Sequence, residues 1–444
     1  MKKIFVKFLI ILICIITTRI ASGQWVSVLD NVIPVKIAIS PDYLLDQTIY
    51  ILDDQQRIFI SETGGLNWTT LYEAGNPSDP AQAVLDIVLS PNFKNDDAII
   101  MIHKDGTAKL SYDRGQNWIT FPAPAETASI VYSPKVMEDY KLFSVTGAYG
   151  PVKFYKSVNG GAVWSFVSDL GIGVGFYCRL WNSSDTASVA NMAVLYDNNT
   201  VYVTSDAGQV WTNSFSAQVS VRDLVYSPAF SVDHTLFIAD AAEIFKNVNG
   251  GDQLSWVSVG TFSGSYGIKF AISQGFQQDQ TIFAAVDQVG IVRSTDGGSS
   301  WNAFNDGFGS SLPISIAISP DEPYTLFAGS IQTGGAPDKL WRYQTSSGIS
   351  GQGNPAKLKF SSFPNPFSSA TEITYETHSK GNVQLSLYDI TGKKLKVLIN
   401  ENLDKGIHRV NLDCTDVNIS PGIYFCILEV LDNMQALKLV IGHK

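Results

Sequence analysis

The sequence predicts an all-β chain: a seven-bladed β-propeller closed by its own N-terminal strand, followed by a small Ig-like β-sandwich. Three observations carry this reading. Six times a Ser, Thr or Asn is followed by an Asp-like residue, then Gly, then Trp, with the first positions 50, 46, 47, 43 and 47 residues apart. Self-similarity at that period signals stacked supersecondary units. Each copy sits in a longer frame: an apolar run ending near Ser-Pro, a turn with Asp, then a β-rich run. Finally, Trp25 lies 43 residues before Trp68, in register with the series although it precedes the first full unit.

The first 23 residues read as a signal peptide. Lys2, Lys3 and Lys7 open it, Phe8 to Ile16 is the apolar stretch, and Ala21 and Gly23 are the small residues that place cleavage before Gln24. The apolar run is too short to span a bilayer, so no transmembrane anchor is expected. Residues 24–344 form the propeller. Its complete repeat motifs are Ser111, Asp113, Gly115, Trp118; Thr204, Asp206, Gly208, Trp211; and Ser294, Asp296, Gly298, Trp301. Three are worn: Ser61, Gly65 and Trp68 with Thr63 in the acid position, Ser157, Gly161 and Trp164 with Asn159, and Asn247, Asn249, Gly251 with Trp256 two residues late. Gly belongs where the backbone turns to positive φ, and the carboxylate and hydroxyl can accept bonds from the turn's free N–H groups.

The upstream frame recurs from Ser40-Pro41, Ser90-Pro91, Ser133-Pro134, Ser227-Pro228, Ser273-Gln274 and Ser319-Pro320, and a degenerate copy spans Ser183 to Val203. That makes seven units against six Trp motifs, with six blades as the alternative because the fourth is poorly marked. The seventh ends at Leu340-Trp341-Arg342-Tyr343 without a motif. Gln24-Trp25-Val26-Ser27-Val28 reads like the segment that follows each motif elsewhere, so it is expected to complete the last blade. Closure removes the open edges that invite aggregation.

These motifs resemble the Asp-box of BNR-type β-propellers, the class that includes sialidases, photosystem assembly factors and sortilin-like receptors. The resemblance implies that the boxes are structural turns at the ring's periphery, away from a central site. The sialidase residues do not carry over. That activity needs converging arginines, a Tyr–Glu nucleophile pair and an Arg-Ile-Pro motif. The propeller's Arg57, Arg114, Arg179, Arg222, Arg293 and Arg342 are scattered, and no Arg-Ile-Pro is present. A xyloglucanase-like hydrolase would place two facing carboxylates between two propellers, whereas this chain has length for one. Asp46, Asp96, Asp139, Asp233 and Asp279 recur at one phase, as turn-capping groups do. The favoured expectation is a non-catalytic propeller that binds an extracellular protein or glycan, with a glycoside hydrolase as the alternative. No catalytic residue, metal site or cofactor is assigned. Tyr177, Arg179 and Trp181 break the repeat in the fourth unit and are the candidate ligand loop.

Composition agrees with a secreted protein. Charged residues are 16% and Gly numbers 36. Residues 24–354 carry 17 basic and 32 acidic side chains, a net of −15. Such a balance disfavours nucleic acid and anionic membranes as partners. After cleavage only Cys178, Cys414 and Cys426 remain, an odd count that argues against a disulfide framework.

Residues 345–357 read as a flexible linker. From 358 to 444 short alternating strands return, with turn signals about every 8–12 residues. This tail resembles the type A C-terminal sorting domain of the type IX secretion system of Bacteroidetes and related bacteria. The match rests on Pro364-Asn365-Pro366, the turn at Gly392, the Gly422-Ile423-Tyr424 strand and the final run from Lys438. It implies recognition by the type IX machinery and export to the surface or exterior, by way of the periplasm.

Overall fold

The computed structural model describes residues 23–441 apart from 136–138, 148–150, 171–177, 189–190, 197–198, 310, 321–323, 333–335, 345–359, 366, 378–380, 390–393, 414–419, 421 and 431–432. Residues 1–22 of the signal peptide, the linker, Tyr177, Pro366, Gly392 and Cys414 therefore lie outside the described residues. Two compact units divide between residues 346 and 347. No helix among the described residues is long and apolar enough to cross a membrane.

The first unit is seven four-stranded antiparallel sheets. In the first complete blade, Pro34–Ile39, Ile49–Asp53, Arg57–Ser61 and Thr69–Glu73 run from the channel outward. First strands neighbour one another from blade to blade and line the axis. Second strands are the driest. Ile49–Asp53, Ile99–His103 and Ile282–Val286 are buried at every position, because both faces meet adjacent blades. Blade contacts are aliphatic and aromatic. Ile58, Ile60 and Leu52 pack with Val84, Ile87 and Met101 of the next blade, and Phe237 and Ile244 pack with Phe270 and Phe276 of theirs.

The fourth blade exists in full: Cys178–Asn182, Met192–Tyr196, Thr200–Thr204 and Thr212–Ser216. The last blade joins the two ends of the unit. Gln24–Asp30 pairs antiparallel with Lys339–Gln344, placing Trp25 opposite Tyr343. Elsewhere the Asp-box is the turn between third and fourth strands. In the last blade those strands come from opposite ends of the unit, so no turn exists there to carry a box. Trp25 takes the place of the box Trp.

The upstream turn with its Asp is present, in a helical form that the sequence reading did not specify. It is a single helical turn, Tyr43–Asp46, Phe93–Asp96, Phe230–Asp233 and Phe276–Asp279, each ending in a left-handed residue. Its Tyr or Phe is buried, and its Asp closes the loop. Asp46 Oδ2 accepts from Ser40 Oγ at 2.7 Å while Asp46 Oδ1 accepts from the Thr48 N–H at 2.9 Å. The same pair of bonds recurs at Asp96, Asp139, Asp233 and Asp279, although Asp279 draws on Ser273 without a Pro.

The second unit is two sheets around one core. Phe360–Phe363, Ala370–Thr377 and Gly406–Asp413 form one, and Lys394–Leu403, Gly381–Asp389, Gly422–Val430 and Asn433–Ile441 the other. Ile373, Leu385, Leu387, Leu412, Leu428 and Leu439 fill the space between them. A first strand at Phe360–Phe363 precedes the Pro-Asn-Pro segment that the sequence suggested as the opening. Cys426 is a free, buried thiol.

Candidate functional site: the mouth of the central channel

Each Asp-box is a closed hydrogen-bonded turn. Ser111 Oγ donates to Asp113 Oδ1 at 2.7 Å and accepts from the Gly115 N–H at 2.8 Å. Asp113 Oδ1 then accepts from the Asn117 N–H at 2.8 Å. Thr204 with Asp206 and Ser294 with Asp296 repeat the pattern. The worn copies keep its geometry with neutral groups. Asn159 Oδ1 accepts from Ser157 Oγ and the Val163 N–H, and Thr63 Oγ1 accepts from the Asn67 N–H. Asn247 Oδ1 accepts from the Asn249 and Gly251 N–H groups, and a short 3-10 turn at Gln253–Ser255 takes up the two extra residues. The box Trp side chains are half-buried. Trp211, Trp256 and Trp301 donate back to the preceding blade, at Ser168, Ser214 and Val259, as Trp25 does to Phe304 O.

These bonds to the charged carboxylate depress the box Asp pKa values. Asp113 and Asp206 lie below their ordinary value, mainly through backbone N–H donors. Asp296 drops to about 2, chiefly because the Ser300 and Ser294 hydroxyls donate to it. A depressed carboxylate stabilises the folded state fully above the unfolded value of 3.8 and loses that contribution as pH falls toward about 2. Melting temperature is therefore expected to drop across that window. A triple variant, Asp113→Asn, Asp206→Asn and Asp296→Asn, is expected to start lower and drop less. Equal slopes in scanning calorimetry would contradict the assignment.

The boxes and the helical turns occupy the same face of the ring and are tied together. The Gly64, Arg114, Gly160, Gly250 and Gly297 N–H groups donate to the carbonyls of Gln47, Asp97, Tyr140, His234 and Gln280. This face is committed to holding blades together. The opposite face, where first strands begin and second strands end, carries a cavity of about 520 Å³. It opens between the fourth and last blades and is bounded by Arg179, Trp181, Arg222, Tyr266, Lys269 and Ile314.

Arg179 and Trp181 lie on the fourth blade's first strand rather than on a loop. The Arg179 guanidinium stacks on Trp181 at 5.0 Å and sits 4.0 Å from Asp223 of the next blade. Asp223 also accepts from the Phe270 N–H at 3.1 Å. Lys269 Nζ donates to the Arg222 carbonyl. Burial pushes the Lys269 ammonium down to about 8, with Arg179, Lys36 and Arg222 adding to the effect and Asp223 opposing it. Arg222 is exposed and forms no ion pair among the described residues.

A periodic position organises this wall. Lys36, Asp86, Ser129, Arg179, Asp223, Lys269 and Ser315 each stand four residues before the repeat Ser, at matching register on successive first strands. They form a ring around the channel. Lys36 pairs with Asp86 at 2.9 Å and Arg179 with Asp223. Two acids thus answer two of three cations, and Lys269 is the surplus. The sequence reading found Arg179 and Trp181, counted Arg222 only among scattered arginines, and missed Asp223, Tyr266 and Lys269. Counting four residues back from each Ser was the available signal.

In the second unit, Pro364 and Asn365 form an exposed bend, and the Pro364 carbonyl accepts from Thr371 Oγ1 at 2.7 Å. Gly422 begins a strand, Tyr424 donates to the Ser420 carbonyl at 2.8 Å, and Lys438 lies opposite Phe425.

Fold and tail define an Asp-box propeller joined to an export signal, and the comparisons agree. Residues 361–442 match the family described as the secretion system C-terminal sorting domain. The chain thus carries a type IX sorting domain, which implies engagement of that secretion machinery and transport across the outer membrane to the surface or exterior. Among solved structures, YCF48 from Cyanidioschyzon merolae is similar at 16% identity and TM-score 0.51, covering 73% of this chain and 100% of that one. YCF48 bound to D1 peptide is similar at 14% identity and TM-score 0.51, covering 73% and 95%. The GH74 xyloglucanase from Xanthomonas campestris is similar at 14% identity and TM-score 0.52; the match covers 80% of this chain and 59% of the xyloglucanase. At these identities the likeness is one of fold. No curated protein matches the chain.

Proposed function

We propose that the propeller is a non-catalytic binding domain that holds an extracellular protein or glycan partner at its channel mouth, after export by the type IX route. One observation carries this reading: the cavity combines cationic, aromatic and aliphatic side chains on the face free of structural motifs, while the ring carboxylates are engaged by neighbours. Asp86 is held by Lys36, and Asp223 by Arg179 and a backbone N–H. A glycosidase needs two carboxylates flanking the scissile bond and free to trade protons with it. The fold it shares with a peptide-bound YCF48 supports the same reading. In this view the Asp-boxes shape the ring and take no part in recognition.

The test separates the two faces. Trp181→Ala is expected to abolish partner capture per folded molecule on glycan and peptide arrays, together with some loss of melting temperature because the half-buried ring also packs against the core between the fourth and fifth blades. Asp206→Ala should lower melting temperature and leave capture per folded molecule intact. Incubation with xyloglucan and sialosides should release no reducing sugar or sialic acid. Turnover that a single carboxylate substitution abolishes would overturn the proposal in favour of a hydrolase.

A further inference from the structure

Resting on that reading, we infer that the channel mouth is a carboxylate site for an extended peptide, with Arg222 and Lys269 as the anion-binding pair. The ring leaves Lys269 as its surplus cation, and Arg222 stands beside it. The bond from Lys269 Nζ to the Arg222 carbonyl fixes the ammonium next to that residue while leaving two of its three protons for other acceptors. Arg222 occupies a position that holds Val35, Leu85, Ala128, Cys178, Ile268 and Ile314 in the other blades. A guanidinium here serves no repeated structural purpose. Of the charged residues that bound the cavity, Arg179, Arg222 and Lys269 outnumber Asp287, and Asp287 already accepts from Gln288 Nε2 at 3.1 Å. A cationic mouth in a domain of net −15 focuses an anion to one place while the rest of the surface repels it.

The remaining walls argue for a peptide rather than a sugar. Ile314, half-buried at the mouth, offers aliphatic surface, with Val221, Ile268 and Pro313 buried in the wall, and this suits a side chain rather than a dense set of hydroxyls. Arg179 covers one face of Trp181, which a sugar ring would otherwise use for stacking. Tyr266, 69% exposed at the rim, can lie along an incoming chain. A terminal carboxylate and an Asp or Glu side chain present the same chemistry, so both sources are tested.

The full secreted chain is panned against random hexapeptides displayed in four forms: free C-terminus, amidated C-terminus, amidated with one fixed Glu, and amidated with one fixed Lys. Enriched sequences are then measured by fluorescence anisotropy. At least one carboxylate form is expected to bind roughly tenfold or more tightly than the neutral amide, and whichever form does so names the source. Arg222→Ala and Lys269→Met should each erase that difference while melting temperature holds, and Arg222→Lys should keep part of it. Equal binding of carboxylate and neutral forms would overturn the inference and leave a peptide-binding propeller standing. Enrichment of no peptide, with Trp181-dependent capture of glycans, would also overturn it and leave the binding-domain reading intact.

Discussion

Replacing Trp25 by Ala is expected to cost the propeller about 3–5 kcal/mol, the range for emptying a fully buried aromatic site. Trp25 is 2% exposed, whereas the box Trp residues are only half-buried. Its ring meets Phe308 and Tyr343 edge-on, each at 5.5 Å, and Nε1 donates to Phe304 O at 2.7 Å. Its own N–H donates to Asp306 O at 2.7 Å. These contacts reach both the last blade and the one before it, so a single side chain bridges the closing seam. Deleting residues 24–31 should be worse still. Lys339–Gln344 would become an unpaired edge, a template for a second chain. Urea denaturation should report the loss for Trp25→Ala, and size-exclusion chromatography should show the deletion as aggregate. A monomeric deletion protein with an unchanged midpoint would mean that the ring does not depend on this strand.

What could be read from the chain, and what could not, follows from the kind of constraint at each position. The boxes were legible because backbone geometry imposes the same demand six times, and Ser, Asp, Gly and Trp answer it at a fixed spacing. The closing strand was legible for the same reason, since Trp25 keeps the register of the box Trp residues. The one-turn helices were not. Four residues are too few for a 3.6-residue period to show, and only a buried Tyr or Phe and a left-handed terminal residue mark them. The fourth blade was faint because its Ser183 lacks the usual Asp six residues on. Asp185 instead accepts from the Ser231 N–H of the next blade at 2.8 Å, clipping the two blades together. The channel ring was hidden by its own variety. Lys, Asp, Ser and Arg alternate at one position, because residues facing a channel are set by their neighbours across it and by what enters it, while the backbone leaves them free. Functional residues in a repeat protein are therefore sought among the exceptions at a repeated position, as Arg222 illustrates.

Two adjacent glycines offer the sharpest test of why the box carries Gly where it does. Gly160 and Gly161 both have positive φ, at 68° and 86°. A Cβ on Gly160 meets nothing within 4 Å, whereas one on Gly161 would lie 2.1 Å from Phe121 Cζ. Phe121 belongs to the preceding blade, is 5% exposed and packs edge-on against Trp164 at 6.3 Å, so it has no room to withdraw. Gly160→Ala should therefore cost only the left-handed penalty, about 1–2 kcal/mol. Gly161→Ala should add an overpacking term of about 1–3 kcal/mol to that penalty. Gly208 repeats the arrangement, with Phe154 at 2.2 Å, and Gly208→Ala should behave like Gly161→Ala. Denaturation midpoints for the three variants decide the matter. A common cost would mean that the box glycine is required by its backbone angle alone. The expected split makes it also the point where one wedge of sheet is seated against the next.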